Sequence, residues 1–106
     1  MIPQAIAAYV LAENSHDTDS VTECFTQDAV VKDDGKLHRG RDQIRAWNLE
    51  TVSKYSAYIA PIQVTSNDKA YVLKASVFGN FPGSPAVLHF HFSTVDGLIN
   101  SLEVTA

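Results

Sequence analysis

The chain has 106 residues, of which 45% are apolar and 19% are charged, and its formal net charge is −4. This balance predicts one globular domain over residues 1–106 and excludes an intrinsically disordered chain. A negative net charge argues against nucleic-acid binding, which depends on basic residues that neutralise phosphates. No apolar run approaches the roughly 18–20 residues that span a bilayer, so we expect no membrane partner.

The first residues and the cysteine content indicate the cellular compartment. The segment Met1–Ile6 lacks the basic region with which a secretory signal begins. Cys24 is the one cysteine of the sequence, which excludes an internal disulfide and fits a reducing environment. We therefore expect a cytoplasmic protein.

The first quarter of the chain is predicted to be helical. Pro3 suits the first turn of a helix, where its missing N–H costs nothing. One face of that helix then carries Ile6, Tyr9, Val10 and Glu13. Asp17 is a good N-cap for a short second helix that ends near Cys24 or Phe25.

A short hairpin and a third helix follow. Residues 28–33 are predicted as a strand, Asp34-Gly35 as a tight turn, and residues 37–39 as the returning strand. A third helix is expected from about Arg41 to Tyr55. One stripe of it carries Ile44, Trp47, Thr51 and Tyr55, and Asn48 borders that stripe.

The last half of the chain is predicted to be four strands, at residues 57–65, 70–79, 86–95 and 98–104. Because each connection is short, we expect an antiparallel meander whose apolar face the helices cover. Alternation places Leu88, Phe90 and Phe92 on the inner face and His89 and His91 on the outer one. The same rule turns Asn100, Leu102 and Val104 inward.

Asp33 is the first candidate for chemistry. It follows Val31 on the core face of its strand, just before the turn. A carboxylate at the mouth of an apolar cavity is harder to ionise and can act as a general base. The alternative is a side chain that only caps the Asp34-Gly35 turn.

Tyr9 likewise has two interpretations, a donor to a ligand oxygen or an ordinary core aromatic. Trp47 and Tyr55 are either pocket walls or core.

His89 and His91 have the spacing of a two-histidine metal site, because positions i and i+2 of a strand point the same way. A third ligand would have to come from the outer face of the neighbouring strand. That face offers Val72, Lys74, Ser76 and Phe78, none of which is a good ligand. We therefore predict no metal and no cofactor.

Several segments together carry a family resemblance: residues 6–10, 14–17, 25–33, 39–47 and 89–92, with Asp96-Gly97 after them. Their order over nearly the whole chain resembles the nuclear transport factor 2-like fold, also called SnoaL-like or ketosteroid isomerase-like. The resemblance implies an α+β cone, in which three helices pack on the concave face of a curved antiparallel sheet and leave a cavity between.

The resemblance also implies roles for residues. Tyr9 matches a tyrosine that donates to an oxyanion in ketosteroid isomerases, and Asp33 matches the aspartate that moves the proton. Those enzymes have a second, protonated aspartate at the position of Leu88. This sequence therefore departs from the steroid isomerases, because it keeps one of their two oxyanion donors. Losing one such donor costs about 10²–10³-fold in rate. SnoaL-like polyketide cyclases also use a single aspartate acid/base in an apolar cavity, and this sequence has the residues to support that chemistry.

The expected function is the binding of a small, largely apolar organic molecule, with proton transfer by Asp33. The predicted pocket walls are Trp47, Tyr55, Leu73, Leu88, Phe90, Asn100 and Leu102. The alternative is a non-catalytic dimeric binding or assembly module whose cavity is filled by its own side chains. A pocket of roughly 300 Å³ or more that reaches Asp33 would favour a ligand.

A homodimer is expected through the outer sheet face, which carries Val72, Phe78, Val87 and Val95.

Overall fold

The helices and strands follow the predicted order in the computed structural model, which describes residues 2–106. The helices are α1 (Gln4–Asn14), α2 (Thr18–Glu23) and α3 (Gly40–Tyr55). The strands are β1 (Phe25–Asp33), β2 (Lys36–Arg39), β3 (Tyr58–Asn67), β4 (Ala70–Phe78), β5 (Ala86–Val95) and β6 (Leu98–Thr105). Pro3 directly precedes α1 instead of lying in its first turn, whereas the predicted N-cap of α2 is confirmed: the Asp17 side chain accepts a hydrogen bond from the Ser20 amide at 3.2 Å.

The strands form one curved, open sheet in the order β2-β1-β6-β5-β4-β3. Neighbouring strands are antiparallel except for β1 and β6, which are parallel. The prediction of an antiparallel sheet was therefore wrong at this one pair, and the sheet is mixed. Short turns fix the direction of strands that follow each other, but β1 and β6 are far apart in the chain and no turn sets their direction.

Strand β1 is longer than expected, because it begins at Phe25 instead of Asp28. Phe25 was assigned to the end of α2, yet that helix stops at Glu23 and Phe25 pairs with Ile99 of β6. An irregularity between Phe25 and Val30 shifts the register of this pair. The Phe25 side chain is completely buried against the edge of the Tyr9 ring.

A β-bulge changes the faces of β6. Ser93 of β5 pairs with Ser101, but Thr94 pairs with Ile99, which leaves Asn100 as the extra residue. The alternation therefore reverses at Asn100. Ile99 and Leu102 both point inward and are fully buried, whereas Asn100 joins the polar residues of the outer face. The predicted inward orientation of Asn100 was wrong for this reason.

The core lies between the helices and the inner face of the sheet. The helices contribute Ile6, Val21 and Ile44, each with no exposed surface. The strands contribute further completely or almost completely buried apolar side chains: Phe25, Val31, Leu73, Ile99 and Leu102. In this packing α3 contacts β1 and β2 and α1 contacts β3, so the helices cover the inner face from both edges of the sheet.

The outer face of the sheet carries several exposed apolar side chains. Phe78, Val87 and Val95 expose 45%, 47% and 43% of their surfaces, and Val72 is half-buried. The predicted homodimer through this face remains a prediction. Over residues 2–106, no helix is both long enough and apolar enough to span a bilayer.

Candidate active site

A cavity of about 700 Å³ opens between the helices and the inner face of the sheet. This is more than the roughly 300 Å³ that distinguishes a ligand pocket from a filled core. Aromatic rings form much of its wall: Tyr9, Trp47, Tyr55, Phe81 and Phe90. The half-exposed Tyr55 packs edge-on against Phe81, with ring centroids 5.9 Å apart, and this pair forms one rim.

The cavity brings together most of the residues predicted for it. Asp33, Tyr9, Trp47, Tyr55, Leu88 and Phe90 all line it. Leu73, Asn100 and Leu102 do not belong to its wall and are corrections to the predicted pocket. Leu73 and Leu102 face inward as expected but are sealed within the core, and Asn100 lies on the outer face because of the bulge.

Asp33 is held by α3 across the mouth of the cavity. Its Oδ2 atom accepts a hydrogen bond of 3.0 Å from the indole Nε1 of Trp47. The His38 ring also packs against this indole, at a centroid distance of 5.9 Å. The Asp34-Gly35 turn that follows has positive φ values at both residues, 53° and 74°, as in a type I′ turn. Asp33 is thus a half-buried carboxylate with a defined orientation.

Glu13 is a second carboxyl group on the cavity wall, and the sequence interpretation gave it no role. Its Oε2 atom accepts a hydrogen bond of 2.6 Å from the Tyr9 hydroxyl. Its Oε1 atom accepts one of 2.7 Å from Nδ2 of Asn48. The Thr18 hydroxyl donates in turn to Oδ1 of Asn48, also at 2.7 Å. The four side chains form one connected chain of hydrogen bonds that ends at the cavity.

Burial controls the protonation of the Glu13 carboxyl and the Tyr9 phenol. Desolvation is the main cause that raises the pKa of Glu13, although the hydrogen bonds from Tyr9 and Asn48 act to lower it. Burial also raises the pKa of the Tyr9 phenol well above its usual value, and the charge of Glu13 adds to that effect. Tyr9 is therefore a neutral hydrogen-bond donor.

The structure changes the expected role of Tyr9. Its hydroxyl does not project freely toward a ligand but donates to Glu13 within the same helix. A signal for this pair was present in the sequence. Glu13 is the one charged residue on the predicted apolar stripe of α1, and Asn48 borders the apolar stripe of α3. A charged side chain on a core-facing stripe needs polar partners, and Tyr9 and Asn48 are those partners.

The histidine pair lies away from this site. His89 and His91 do not line the cavity, and Nε2 of His91 contacts the Thr105 hydroxyl at 3.0 Å on the outer face. In the described part of the chain, no three histidine, cysteine, aspartate or glutamate side chains are grouped closely enough to hold a metal ion. His16 lines the cavity instead, and its Nε2 atom lies 2.9 Å from the carbonyl oxygen of Ala57.

The arrangement offers two carboxyl groups of different character to one apolar, aromatic-walled space. Asp33 is half-buried, and one indole donor orients it. Glu13 is desolvated and tied to a phenol and an amide. Such a pair can take up a proton at one place and hold one at the other, which is the requirement for acid–base chemistry without a cofactor.

Comparison with known proteins identifies the family. The profile of the SnoaL-like domain matches residues 6–101. A candidate polyketide cyclase from Sinorhizobium meliloti has a similar structure, with a TM-score of 0.95 and 35% sequence identity. That alignment covers 98% of this chain and 95% of the other. A search of curated protein sequences found no match.

Two more distant structures share the fold. One is a Catenulispora acidiphila protein with a ketosteroid isomerase-like fold in complex with trimethylamine, at 18% identity and a TM-score of 0.89; the alignment covers 100% of this chain and 87% of that one. The other is SalBIII, an epoxide hydrolase/cyclase-like enzyme of pyran ring formation in the polyether salinomycin. Its sequence identity is 21% and its TM-score is 0.85, and the alignment covers 96% of this chain and 87% of that one. With its curved open sheet and three helices, the chain belongs to the SnoaL-like domain family and has the nuclear transport factor 2-like fold.

Proposed function

We propose that this protein binds a small, largely apolar organic molecule in its cavity and that Asp33 moves a proton on that molecule, in an isomerase- or cyclase-type reaction. The observation that carries the proposal is an open, aromatic-walled cavity of about 700 Å³ that reaches the carboxylate of Asp33. The Sinorhizobium meliloti relative, a candidate polyketide cyclase of 35% identity, supports the same reaction class.

The geometry favours Asp33 as the base. Its carboxylate is reached from the cavity, and the hydrogen bond from Trp47 occupies only Oδ2, which leaves Oδ1 for a substrate proton. The mainly apolar walls bring a bound ligand to Asp33 in a space where few other polar groups compete for contact with it. No cofactor is part of the proposed reaction.

The proposal is tested by hydrogen–deuterium exchange on a simple ketone. In D₂O, 2-tetralone exchanges its α-protons when a base removes them, and proton NMR follows the loss of signal. We expect the protein to accelerate the exchange and Asp33→Asn to reduce the acceleration by about 10²–10⁴-fold. The matched control is Asp28→Asn, because Asp28 lies on the same strand but is exposed and outside the cavity.

The outcomes separate binding from catalysis. Binding of 2-tetralone with an acceleration that survives Asp33→Asn would remove Asp33 from the reaction. Failure of the protein to bind either 2-tetralone or tetralin, the same skeleton without the carbonyl, would contradict the proposed ligand class altogether.

We also propose the homodimer expected from the sequence. The exposed apolar side chains of the outer face, Phe78 and Val87 among them, support it. Light scattering at micromolar concentration is expected to give twice the mass of the chain, and Phe78→Lys is expected to give a monomer. A wild-type protein that scatters as a monomer would contradict this proposal.

A further inference from the structure

We propose that the molecule bound in the cavity is an amine in its positively charged form, so that the ligand class is a small, largely apolar cation. This inference rests on the proposed function and deepens it, because the amine occupies the same cavity and contacts the same Asp33 carboxylate. Three features of the cavity lead to it: the charges on its wall, the hydrogen bonds that its side chains already make, and its aromatic rings.

The cavity wall carries negative charge with little to balance it. Among the described residues that line it, none is lysine or arginine, and four are acidic: Glu13, Asp33, Asp34 and Glu103. Lys32 balances only Glu103, whose Oε2 atom lies 3.8 Å from the Lys32 ammonium nitrogen. The wall also contains His16, which can carry a positive charge. An anionic ligand is therefore repelled by this wall, whereas a cation is attracted to it.

The side chains of the wall have already used most of their hydrogen-bond donors. The Tyr9 hydroxyl and the Trp47 indole donate to carboxylates of the wall, and the Thr51 hydroxyl donates to a backbone carbonyl oxygen within α3. The Tyr55 hydroxyl lies at the half-exposed rim, where it can donate or accept. An ionised carboxylate has about four acceptor sites, and Asp33 uses one of them for the indole. The cavity thus offers mainly acceptors, and a ligand with N–H donors complements it.

Aromatic rings add to the attraction for a cation. The Trp47 indole lies beside Asp33 and is bonded to it, so the ring and the carboxylate meet the same group of a ligand. On the rim, Tyr55 and Phe81 meet at an interplanar angle of 84° and form an aromatic corner. The negative face of an aromatic ring attracts an ammonium group, and the attraction grows when water is displaced. A carboxylate beside aromatic rings therefore suits an amine with a hydrocarbon skeleton.

The Glu13 carboxyl also gains from a positive ligand. Burial raises its pKa and the charge of Asp33 adds to this, whereas His16 acts in the opposite direction. An ammonium group in the cavity favours the ionised form of Glu13, since an opposite charge lowers the pKa of a carboxyl group. Tyr9 and Asn48 keep donating to its two oxygen atoms. The ligand thus supplies the charge that the wall lacks.

Asp33 can hold the amine and still act as the proposed base. Since Trp47 fills one acceptor site of the carboxylate, an ammonium N–H can fill a second while a C–H bond of the same molecule faces a third. A positive charge next to that carbon makes its proton easier to remove, because it stabilises the electron pair that is left behind.

The test compares three ligands that share one hydrocarbon skeleton. The amine 2-aminotetralin is positively charged at neutral pH, as aliphatic amines are, tetralin is uncharged, and tetralin-2-carboxylate is negatively charged. Calorimetric titration at low salt measures the affinity of the wild-type protein for each. We expect 2-aminotetralin to bind about tenfold more tightly than tetralin, and the carboxylate to bind about tenfold more weakly than tetralin.

Asp33→Asn removes the negative charge and keeps the size of the side chain. We expect the affinity for 2-aminotetralin to fall about tenfold in this variant, whereas the affinity for tetralin stays the same. The matched control is Asp28→Asn, because Asp28 is exposed on the same strand and lies outside the cavity. This control should keep the full preference for the amine. The comparison of the three ligands on the wild-type protein decides even if a variant does not fold.

Each outcome decides. If tetralin or the carboxylate binds as tightly as 2-aminotetralin, the inference is overturned and the proposed ligand site stands. A preference for the amine that is equal in the wild type and in Asp33→Asn overturns it as well, because the charge on the wall then does not select the ligand. If none of the three compounds binds, the ligand site is rejected and the inference with it.

Discussion

The two carboxyl groups on the wall of the cavity, Asp33 and Glu13, have the same chemistry in different surroundings. Asp33 ends strand β1 beside an exposed turn and accepts one hydrogen bond, from Trp47. Glu13 lies inside helix α1 and accepts two, from Tyr9 and Asn48, which are both almost completely buried. Nevertheless the pKa of Glu13 is raised, since desolvation outweighs both donors.

The difference teaches that the number of hydrogen bonds does not by itself decide which carboxyl group keeps a proton. Two good donors stabilise the ionised form of Glu13, but the loss of water around it destabilises that form more. Asp33 stays within reach of water and of a ligand at the cavity mouth. The Glu13 carboxyl on α1 is therefore suited to hold a proton, and the Asp33 carboxyl at the end of β1 lies where a ligand can reach it.

The largest effect on the free energy of unfolding is expected from a substitution in the buried hydrogen-bond network of Glu13. Asn48 has no exposed surface and bridges Glu13 to Thr18. Asn48→Leu leaves the Glu13 carboxyl and the Thr18 hydroxyl without their partner, and we expect a loss of about 3 kcal/mol in the free energy of unfolding. Urea denaturation followed by circular dichroism measures it.

The control is the same substitution at an exposed position, Asn67→Leu at the end of β3. It is expected to change the free energy of unfolding by less than about 0.5 kcal/mol. Equal losses in the two variants would mean that Asn48 is not part of a buried network.

Much of the fold could be predicted because local patterns determine it. The turns at Asn67–Lys69, Asn80–Pro85 and Asp96-Gly97 join strands whose bounds lie within a few residues of those predicted. The pairing of β1 with β6 could not be predicted, since it joins distant segments and has no turn of its own. The nearly complete burial of Tyr9 and Trp47 followed from their place on apolar helix stripes.

The candidate site was predictable only in part. Asp33 could be placed by alternation from Val31, because no irregularity lies between them. Asn100 could not, since it is the extra residue in β6 at which the alternation reverses, and a bulge leaves no clear mark in the sequence. Leu73 faces inward as predicted, but alternation alone does not distinguish a cavity wall from the sealed core beneath it.

A second, smaller effect concerns pH. Because the folded-state pKa of Glu13 lies above its unfolded value, the folded protein holds an extra proton between the two values. The stability that the protonated Glu13 contributes is fully present below the pKa of Glu13 in the unfolded chain. It is lost as pH rises through the pKa of Glu13 in the folded protein. Glu13→Gln abolishes this dependence, so the variant should gain stability relative to wild type as pH increases.

The pH dependence of wild-type stability must be compared with that of Glu13→Gln, because other carboxyl groups change the stability in the opposite direction. Asp17 has a lowered pKa, owing mainly to hydrogen bonds from Ser20, and Glu50 has one owing to Lys54. Both stabilise the fold as pH rises. Urea denaturation of both proteins over a pH series isolates Glu13 as the difference between them, and a flat difference would contradict the raised pKa.

The smallest effect is expected at the half-buried Asp33. Trp47→Phe keeps an aromatic ring but removes the indole donor from Asp33. Because Asp33 is half-buried, water can replace that donor, and we expect a loss of only about 1 kcal/mol in the free energy of unfolding. The exchange of 2-tetralone α-protons should fall about tenfold, because the base loses the contact that orients it. Trp47 is the only tryptophan, so unfolding of this variant is followed by circular dichroism instead of fluorescence. A stability loss as large as that of Asn48→Leu would show that Asp33 is as dependent on its partner as Glu13, and the contrast between the two carboxyl groups would then be wrong.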